Sequence, residues 1–160
     1  MLRNESPFSR HCEEIIASLP IRFPFELRAF LTAVGDQRGV PIELWRMTPT
    51  RMGRSGMVLR TYRRIYLLVA SRTDSVHLTH IAFHELGHLL LGHSSDLVCA
   101  TGSTRQAAEG RQEEQAEEFA YALYACVRSG AREHRVRASR PRAQLRAAFG
   151  PGMRLGGANA

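Results

Sequence analysis

The chain of 160 residues contains few cysteines and no long apolar segment. The cysteines are odd in number and form no CxxC pair: they are Cys12, Cys99 and Cys126. This pattern argues against a disulfide framework and a structural zinc knot. No apolar run is long enough to span a bilayer, and the first residues lack the apolar core of a secretory signal. With 44% hydrophobic and 23% charged residues, the composition is that of a globular protein, and we expect a cytoplasmic one.

Lysine is absent, and the arginines are unevenly distributed. We attribute the missing lysine to a GC-rich genome. Residues 1–126 hold 14 Arg and 14 acidic residues, whereas residues 127–160 hold 8 Arg and one Glu. This Arg- and Gly-rich end predicts a single domain over residues 1–127 and a flexible tail over residues 128–160, with a short basic helix over 138–149 as the alternative. The tail can contact nucleic-acid phosphates, but the sequence supports this contact only weakly, because it contains no nucleic-acid-binding motif.

Hydrophobic periodicity and turn residues predict an α+β fold with a small antiparallel or mixed sheet. The predicted elements are two short helices, three strands and two longer helices, over residues 13–19, 24–34, 40–47, 57–60, 65–70, 75–91 and 107–127. Gly35 and Gly39 are expected to close the second short helix. The first long helix has Asp74 or Ser75 as its N-cap, and Gly92 is placed to end it. The strand over 65–70 is expected at the sheet edge beside a cleft, where it can bind an extended peptide.

The first long helix contains an HExxH motif, His84-Glu85-Leu86-Gly87-His88. Residues four apart lie on one helix face about 6 Å apart, so the two imidazoles can converge on one tetrahedral ion. Glu85 can take a proton from a zinc-bound water and return it to a leaving amine. The alternative is a surface helix that carries these residues by chance, which is rare for three fixed positions. The motif therefore predicts a zinc hydrolase.

A catalytic zinc site needs a third protein ligand. The pattern HExxHxxGxxH is excluded, because positions 91 and 94 are Leu91 and Ser94 instead of glycine and histidine. The second long helix offers Glu-Glu-Gln-Ala-Glu-Glu at residues 113–118. Glu113 and Glu117 share a face, so one can bind the metal while the other hydrogen-bonds a ligand imidazole; the other two glutamates form a competing stripe. Glu113 is the preferred ligand and Glu117 the alternative.

Other polar residues near the motif have less defined roles. His77 and His80 extend the histidine stripe, and we interpret them as polar residues of the helix start in preference to a second metal site. An oxyanion donor could be Tyr121, Tyr124, His93, or an Arg or Tyr residue before the motif, and the sequence does not choose among them.

The two motifs resemble the ImmA/IrrE family of zinc metallopeptidases. The resemblance rests on HELGHLLLGH at residues 84–93 and EEQAEEFAYAL at 113–123, with a weaker contribution from the strand RIYLLVA before the metal helix, and it spans roughly residues 20–127. In this family the second motif is approximately E-x-E-A-N-x-F-A, and its first glutamate, the third ligand, corresponds to Glu113. The chain departs from the pattern at Gln115, where the family has glutamate, and at Glu117, where asparagine is common.

The resemblance implies a small gluzincin-like, zincin-fold domain, in which a short twisted sheet packs on the HExxH helix and a second helix supplies a ligand. It implies Zn²⁺ held by His84, His88 and Glu113, with Glu85 as the general base. It also implies an endopeptidase that cleaves a DNA-binding helix-turn-helix repressor at a specific site, with the repressor on another chain. Two alternatives remain: a regulatory or toxin-like protein that binds a partner without hydrolysis, against which the intact Glu85 argues, and a nucleic-acid-binding module that uses the arginine-rich tail.

Overall fold

The chain forms four helices and a three-stranded mixed sheet in a computed structural model that describes residues 7–48, 55–93 and 102–149. The elements are α1 (Pro7–Ser18), α2 (Leu27–Arg38), β1 (Ile42–Met47), β2 (Gly56–Arg60), β3 (Ile65–Ala70), α3 (Ser75–Leu90) and α4 (Gly102–Phe149). The predicted α+β class and mixed sheet are confirmed. Within the described ranges, no helix has both the length and the apolar character needed to cross a bilayer.

The three strands are arranged in the order β1-β3-β2. Strand β3 pairs in parallel with β1 and antiparallel with β2. Its alternate residues Ile65, Leu67 and Val69 are buried, as expected for a strand with one face on the core. The prediction that the strand over 65–70 forms the sheet edge is wrong, because both of its sides are hydrogen-bonded to neighbouring strands. Among the residues that the structure describes, the sheet edges are β1 and β2.

Helices α1 and α2 begin and end at different residues from those predicted. Helix α1 begins at Pro7, a residue whose fixed φ suits the first helical turn. Helix α2 begins after Glu26, whose carboxylate accepts hydrogen bonds from two backbone N–H groups of the first turn. Gly35 does not end α2; it packs so closely on the following strand that an added Cβ would lie 2.8 Å from the nitrogen of Ile42. Gly39, the other glycine expected to end this helix, is its C-cap, with φ 71°.

Helix α3 agrees closely with its predicted range and cap. The side chain of Asp74 accepts hydrogen bonds from the N–H groups of Val76 and His77, both at 3.0 Å. At the other end, the N–H of Leu91 donates to the oxygen of Gly87, and Gly92 follows with φ 71°. Asp74 and Gly92, both proposed from the sequence, therefore bound the helix that carries the HExxH motif.

Helices α3 and α4 pack closely through small residues. An added Cβ at Gly87 would lie 3.1 Å from Cδ1 of Phe119 and 3.3 Å from the oxygen of Ala116. Phe119, Ala116 and Ala120 are completely buried in this interface. The absent side chain at Gly87 thus brings the backbone of α4 against the face of α3 that carries the motif.

Helix α4 does not end at residue 127 as predicted but continues to Phe149. Its packing extends beyond Val127: an added Cβ at Gly130 would overlap the ring of Phe23, and the ring of His134 stacks on Phe23 with centroids 6.4 Å apart. The short basic helix considered over 138–149 is the end of this long helix. The division into a domain over 1–127 and a tail over 128–160 stays a prediction, and residues 150–160 lie outside the described residues.

Candidate metal centre

The structure brings together His84, His88 and Glu113. The Nε2 atoms of the two histidines are 3.0 Å apart, and Oε2 of Glu113 lies 3.2 Å from Nε2 of His84. The other oxygen of Glu113 lies 3.5 Å from Nε2 of His88. One ligand atom from each residue can be chosen so that all lie within 4.8 Å of one another. These three side chains form a group that could hold a metal ion.

The two imidazoles are partly buried, whereas Glu113 is exposed. The histidines lie one turn apart on α3, and the close packing at Gly87 brings the carboxylate of α4 to them. The group is therefore covered by the helices on one side and open to solvent at Glu113. An ion held there would be accessible to a second molecule.

Glu117 contacts the opposite side of the His84 ring. Its Oε2 lies 3.1 Å from Nδ1 of His84, and its Oε1 lies 3.2 Å from Nε2 of His80. Burial alone would raise the pKa of Glu117, but the His80 charge and the hydrogen bonds from His84 and Tyr121 outweigh it and lower that pKa. An ionised carboxylate only accepts hydrogen bonds, so it holds the proton of His84 on Nδ1 and leaves Nε2 free to face Glu113.

His80 also lies beside Glu117. Besides its contact with Glu117, the His80 ring lies on Tyr121, with centroids 5.1 Å apart. His77 is exposed, and its N–H is used in the cap of α3. These two histidines lie outside the group of three ligand candidates found among the described residues.

His93 occupies the corresponding position beside His88. The two Nδ1 atoms are 3.0 Å apart, and Nε2 of His93 lies 3.1 Å from Oε1 of Gln115. The pKa of His88 is lowered to about 4, mainly by burial and also by the charges of His84 and His93, against the opposing effect of Glu113. Burial likewise lowers the pKa of His93. Both rings are therefore neutral at neutral pH, and neutral imidazole is the form that binds metals.

The sequence interpretation did not connect His93 or Gln115 with the orientation of His88. The signal lies in the end of α3: Gly92 follows the capping residue Leu91, and the N–H of His93 donates to the oxygen of His88 at 3.0 Å. This hydrogen bond is that of a Schellman motif, which returns the second residue after a helix cap onto the last turn. A histidine directly after the helix-ending glycine could thus have been predicted to lie beside His88.

Glu85 is buried, with 8% of its surface exposed. It follows His84 in the sequence and therefore points about 100° around α3, towards the sheet. An added Cβ at Gly56 would lie 2.5 Å from Oε1 of Glu85 and 2.6 Å from Cγ2 of Ile81. The first residue of the edge strand β2 must therefore be small for the carboxylate of Glu85 to occupy this position.

No protein-family model and no curated protein matches the chain. The geometry described above is therefore the basis for inferring the chemistry of the site.

Proposed function

We propose that the protein is a zinc-dependent endopeptidase. The observation that carries the proposal is the spacing of the three ligand candidates. A zinc ion held tetrahedrally about 2.0–2.1 Å from each ligand atom requires those atoms to be about 3.3 Å apart. The two Nε2 atoms are 3.0 Å apart, and the two carboxylate oxygens of Glu113 lie 3.2 Å from Nε2 of His84 and 3.5 Å from Nε2 of His88. Two imidazoles and one carboxylate form a known ligand set of catalytic zinc, and they leave a fourth position for substrate or water.

The other residues of the site support hydrolysis over a purely structural metal. When bound, zinc polarises a carbonyl and lowers the pKa of water to about 7. Glu85 is the general base: its carboxylate takes a proton from the attacking water and delivers it to the amide nitrogen of the leaving group. His84 and His88 present their Nε2 atoms because Glu117 and His93 contact their Nδ1 atoms.

The edge strand β2 supports an extended peptide as the substrate. One side of β2 is paired with β3, and the other is an edge in the sheet order β1-β3-β2. Its first residue, Gly56, lies against Glu85. A peptide that adds to this edge by backbone hydrogen bonds would therefore run past the general base. Met57 and Leu59 are exposed on the same strand and offer apolar contacts to such a peptide.

The resemblance of the two motifs to the ImmA/IrrE family supports a more specific substrate. We propose cleavage of a DNA-binding helix-turn-helix repressor carried on another chain. Partner binding without hydrolysis is the alternative, and the intact Glu85 of the HExxH motif favours the peptidase.

The proposal is tested by incubating the zinc-loaded protein with any helix-turn-helix repressor that a neighbouring gene encodes, and comparing Glu85→Gln with the wild type. We expect the substitution to slow cleavage by about 100- to 10,000-fold, because it removes the proton-transfer group, while zinc binding is retained. Glu114→Gln is the matched control: Glu114 is an exposed glutamate outside the group of ligand candidates. Equal cleavage by wild type and Glu85→Gln would contradict the mechanism, and binding without cleavage by the wild type would favour the regulatory alternative.

A further inference from the structure

Three side chains form a continuous hydrogen-bonded row that ends at a candidate metal ligand. Oε1 of Gln115 lies 3.1 Å from Nε2 of His93, and Nδ1 of His93 lies 3.0 Å from Nδ1 of His88. On the far side of its ring, Nε2 of His88 faces His84 and Glu113. Because each neutral imidazole has one donor and one acceptor nitrogen, the proton positions along the row depend on one another.

Only one arrangement of protons leaves Nε2 of His88 free to bind a metal. If the Gln115 oxygen accepts from Nε2–H of His93, then Nδ1 of His93 is an acceptor and receives Nδ1–H of His88. If the Gln115 amide is reversed, its NH₂ group donates, and the opposite order places the proton of His88 on Nε2. That proton would occupy the lone pair needed for the metal. The orientation with the oxygen towards His93 is the one found.

We propose that His93 and Gln115 are positioning residues that hold the proton of His88 on Nδ1 and thereby keep its Nε2 ready for the metal. The inference rests on the proposed metal centre. It differs from the arrangement at His84, where the ionised Glu117 makes the same contact. On the His88 side a neutral pair orients the imidazole without adding a negative charge to those of Glu113 and Glu117.

Hydrogen bonds to two backbone oxygens hold this row in place. The N–H of His93 donates to the oxygen of His88 at 3.0 Å, and the guanidinium of Arg60 on β2 donates to the oxygen of His93 at 3.4 Å. Gln115 lies on α4 two residues after Glu113, so the packing of α4 on α3 positions the ligand and the end of the row together. Both rings are partly buried, which limits competition from water for these hydrogen bonds.

The first test measures zinc affinity by competition with a chelator of known affinity. We expect His93→Ala and Gln115→Leu to weaken zinc binding about 10- to 100-fold, the usual effect of removing a group that orients a ligand histidine. His93→Asn should recover most of this loss, because its side-chain oxygen can accept from Nδ1–H of His88. Gln112→Leu is the matched control, since it makes the same chemical change at another half-buried position of α4. Circular dichroism confirms that each variant is folded.

The outcomes separate this inference from the proposed function. A wild type that binds no zinc contradicts the proposed function. A wild type that binds zinc, with equal affinity in His93→Ala, overturns the role of His93. Equal losses in His93→Ala and His93→Asn also overturn it, because a merely structural role would not be rescued by the oxygen of asparagine.

The second test needs neither metal nor activity. Long-range nitrogen–proton NMR correlations at neutral pH report which nitrogen of His88 carries the proton in the metal-free protein. We expect Nδ1–H in the wild type, even though Nε2 of His88 has two competing acceptors, Nε2 of His84 at 3.0 Å and Glu113 at 3.5 Å. In His93→Ala we expect the proton to move towards Nε2. A wild-type His88 with its proton on Nε2 would overturn the inference.

Discussion

Helix α4 contains two segments that differ in how they pack: a first half, residues 113–127, and a second half, residues 128–149. From Glu113 to Val127 the helix packs on α3, and it buries Ala116, Phe119, Ala120, Leu123 and Val127. From residue 132 to residue 140 every side chain is exposed, and the segment after residue 127 carries most of the excess arginine.

The comparison shows that the acidic and the basic residues of this helix differ in how the helix around them is packed. Glu113 and Glu117 face the histidines of α3 because small and apolar residues between and after them hold the helices together. Arg137 and Arg140 lie further along the helix than His134, which stacks on Phe23. The acidic half therefore contributes to a site, whereas the basic half presents charge to solvent.

The largest effect on stability is expected where the first half packs. Phe119→Ala removes a fully buried ring, and we expect it to lower the free energy of unfolding by about 3–5 kcal/mol. Val136→Ala, at an exposed position of the second half, should change it by less than about 0.5 kcal/mol. Chemical denaturation of the two variants measures both values. Equal effects would contradict the division of α4 into a packed and an exposed half.

The next largest effect on stability is expected where α3 and α4 pack closely. Gly87→Ala places a Cβ 3.1 Å from the Phe119 ring, and we expect it to cost about 1–3 kcal/mol of stability and to weaken zinc binding by moving Glu113 away from the histidines. Gly110→Ala is the matched control, because an added Cβ there meets nothing within 4 Å. In a helix that control should be neutral or stabilise by up to about 1 kcal/mol. Unchanged zinc affinity in Gly87→Ala would show that the ligands do not depend on this packing.

The difference between local signals and contacts distant in the chain explains which parts of the fold the sequence could predict. Local signals were sufficient for α3, because Asp74, Gly92 and the apolar stripe all lie within one helix, and for β3, whose bounds agree with the prediction. The continuation of α4 could not be predicted, since it involves the contact of Gly130 and His134 with Phe23, more than 100 residues earlier in the chain. The central position of β3 likewise depends on β1 and β2 pairing on its two sides.

At the candidate site, the sequence proposed the ligand residues but not the contacts between them. Helical spacing was sufficient to propose His84, His88 and Glu113, with Glu117 as the alternative ligand. The structure places Glu113 among the Nε2 atoms and Glu117 on Nδ1 of His84, which spacing alone could not decide because both glutamates share one face. Gln115 was seen only as a departure from the family pattern, since its contact with His93 crosses between two helices.

The smallest effect is expected in the exposed half. Replacing Arg137 and Arg140 by glutamine should change the free energy of unfolding by less than about 0.5 kcal/mol and leave zinc affinity unaltered, because both side chains are exposed. If the arginines bind DNA, the logarithmic slope of affinity against salt should become shallower by about 0.9 for each phosphate that is no longer neutralised. A salt dependence unchanged by the double substitution would exclude these two residues from the DNA-binding surface.

The central claim, that His84, His88 and Glu113 bind one zinc ion, is tested most directly by the zinc stoichiometry of the purified protein. We predict one zinc per chain in the wild type and in Glu85→Gln, and a strong loss in His84→Ala and His88→Ala, which remove the partly buried imidazole ligands. A wild type that binds no zinc, or histidine variants that retain it fully, would contradict the account.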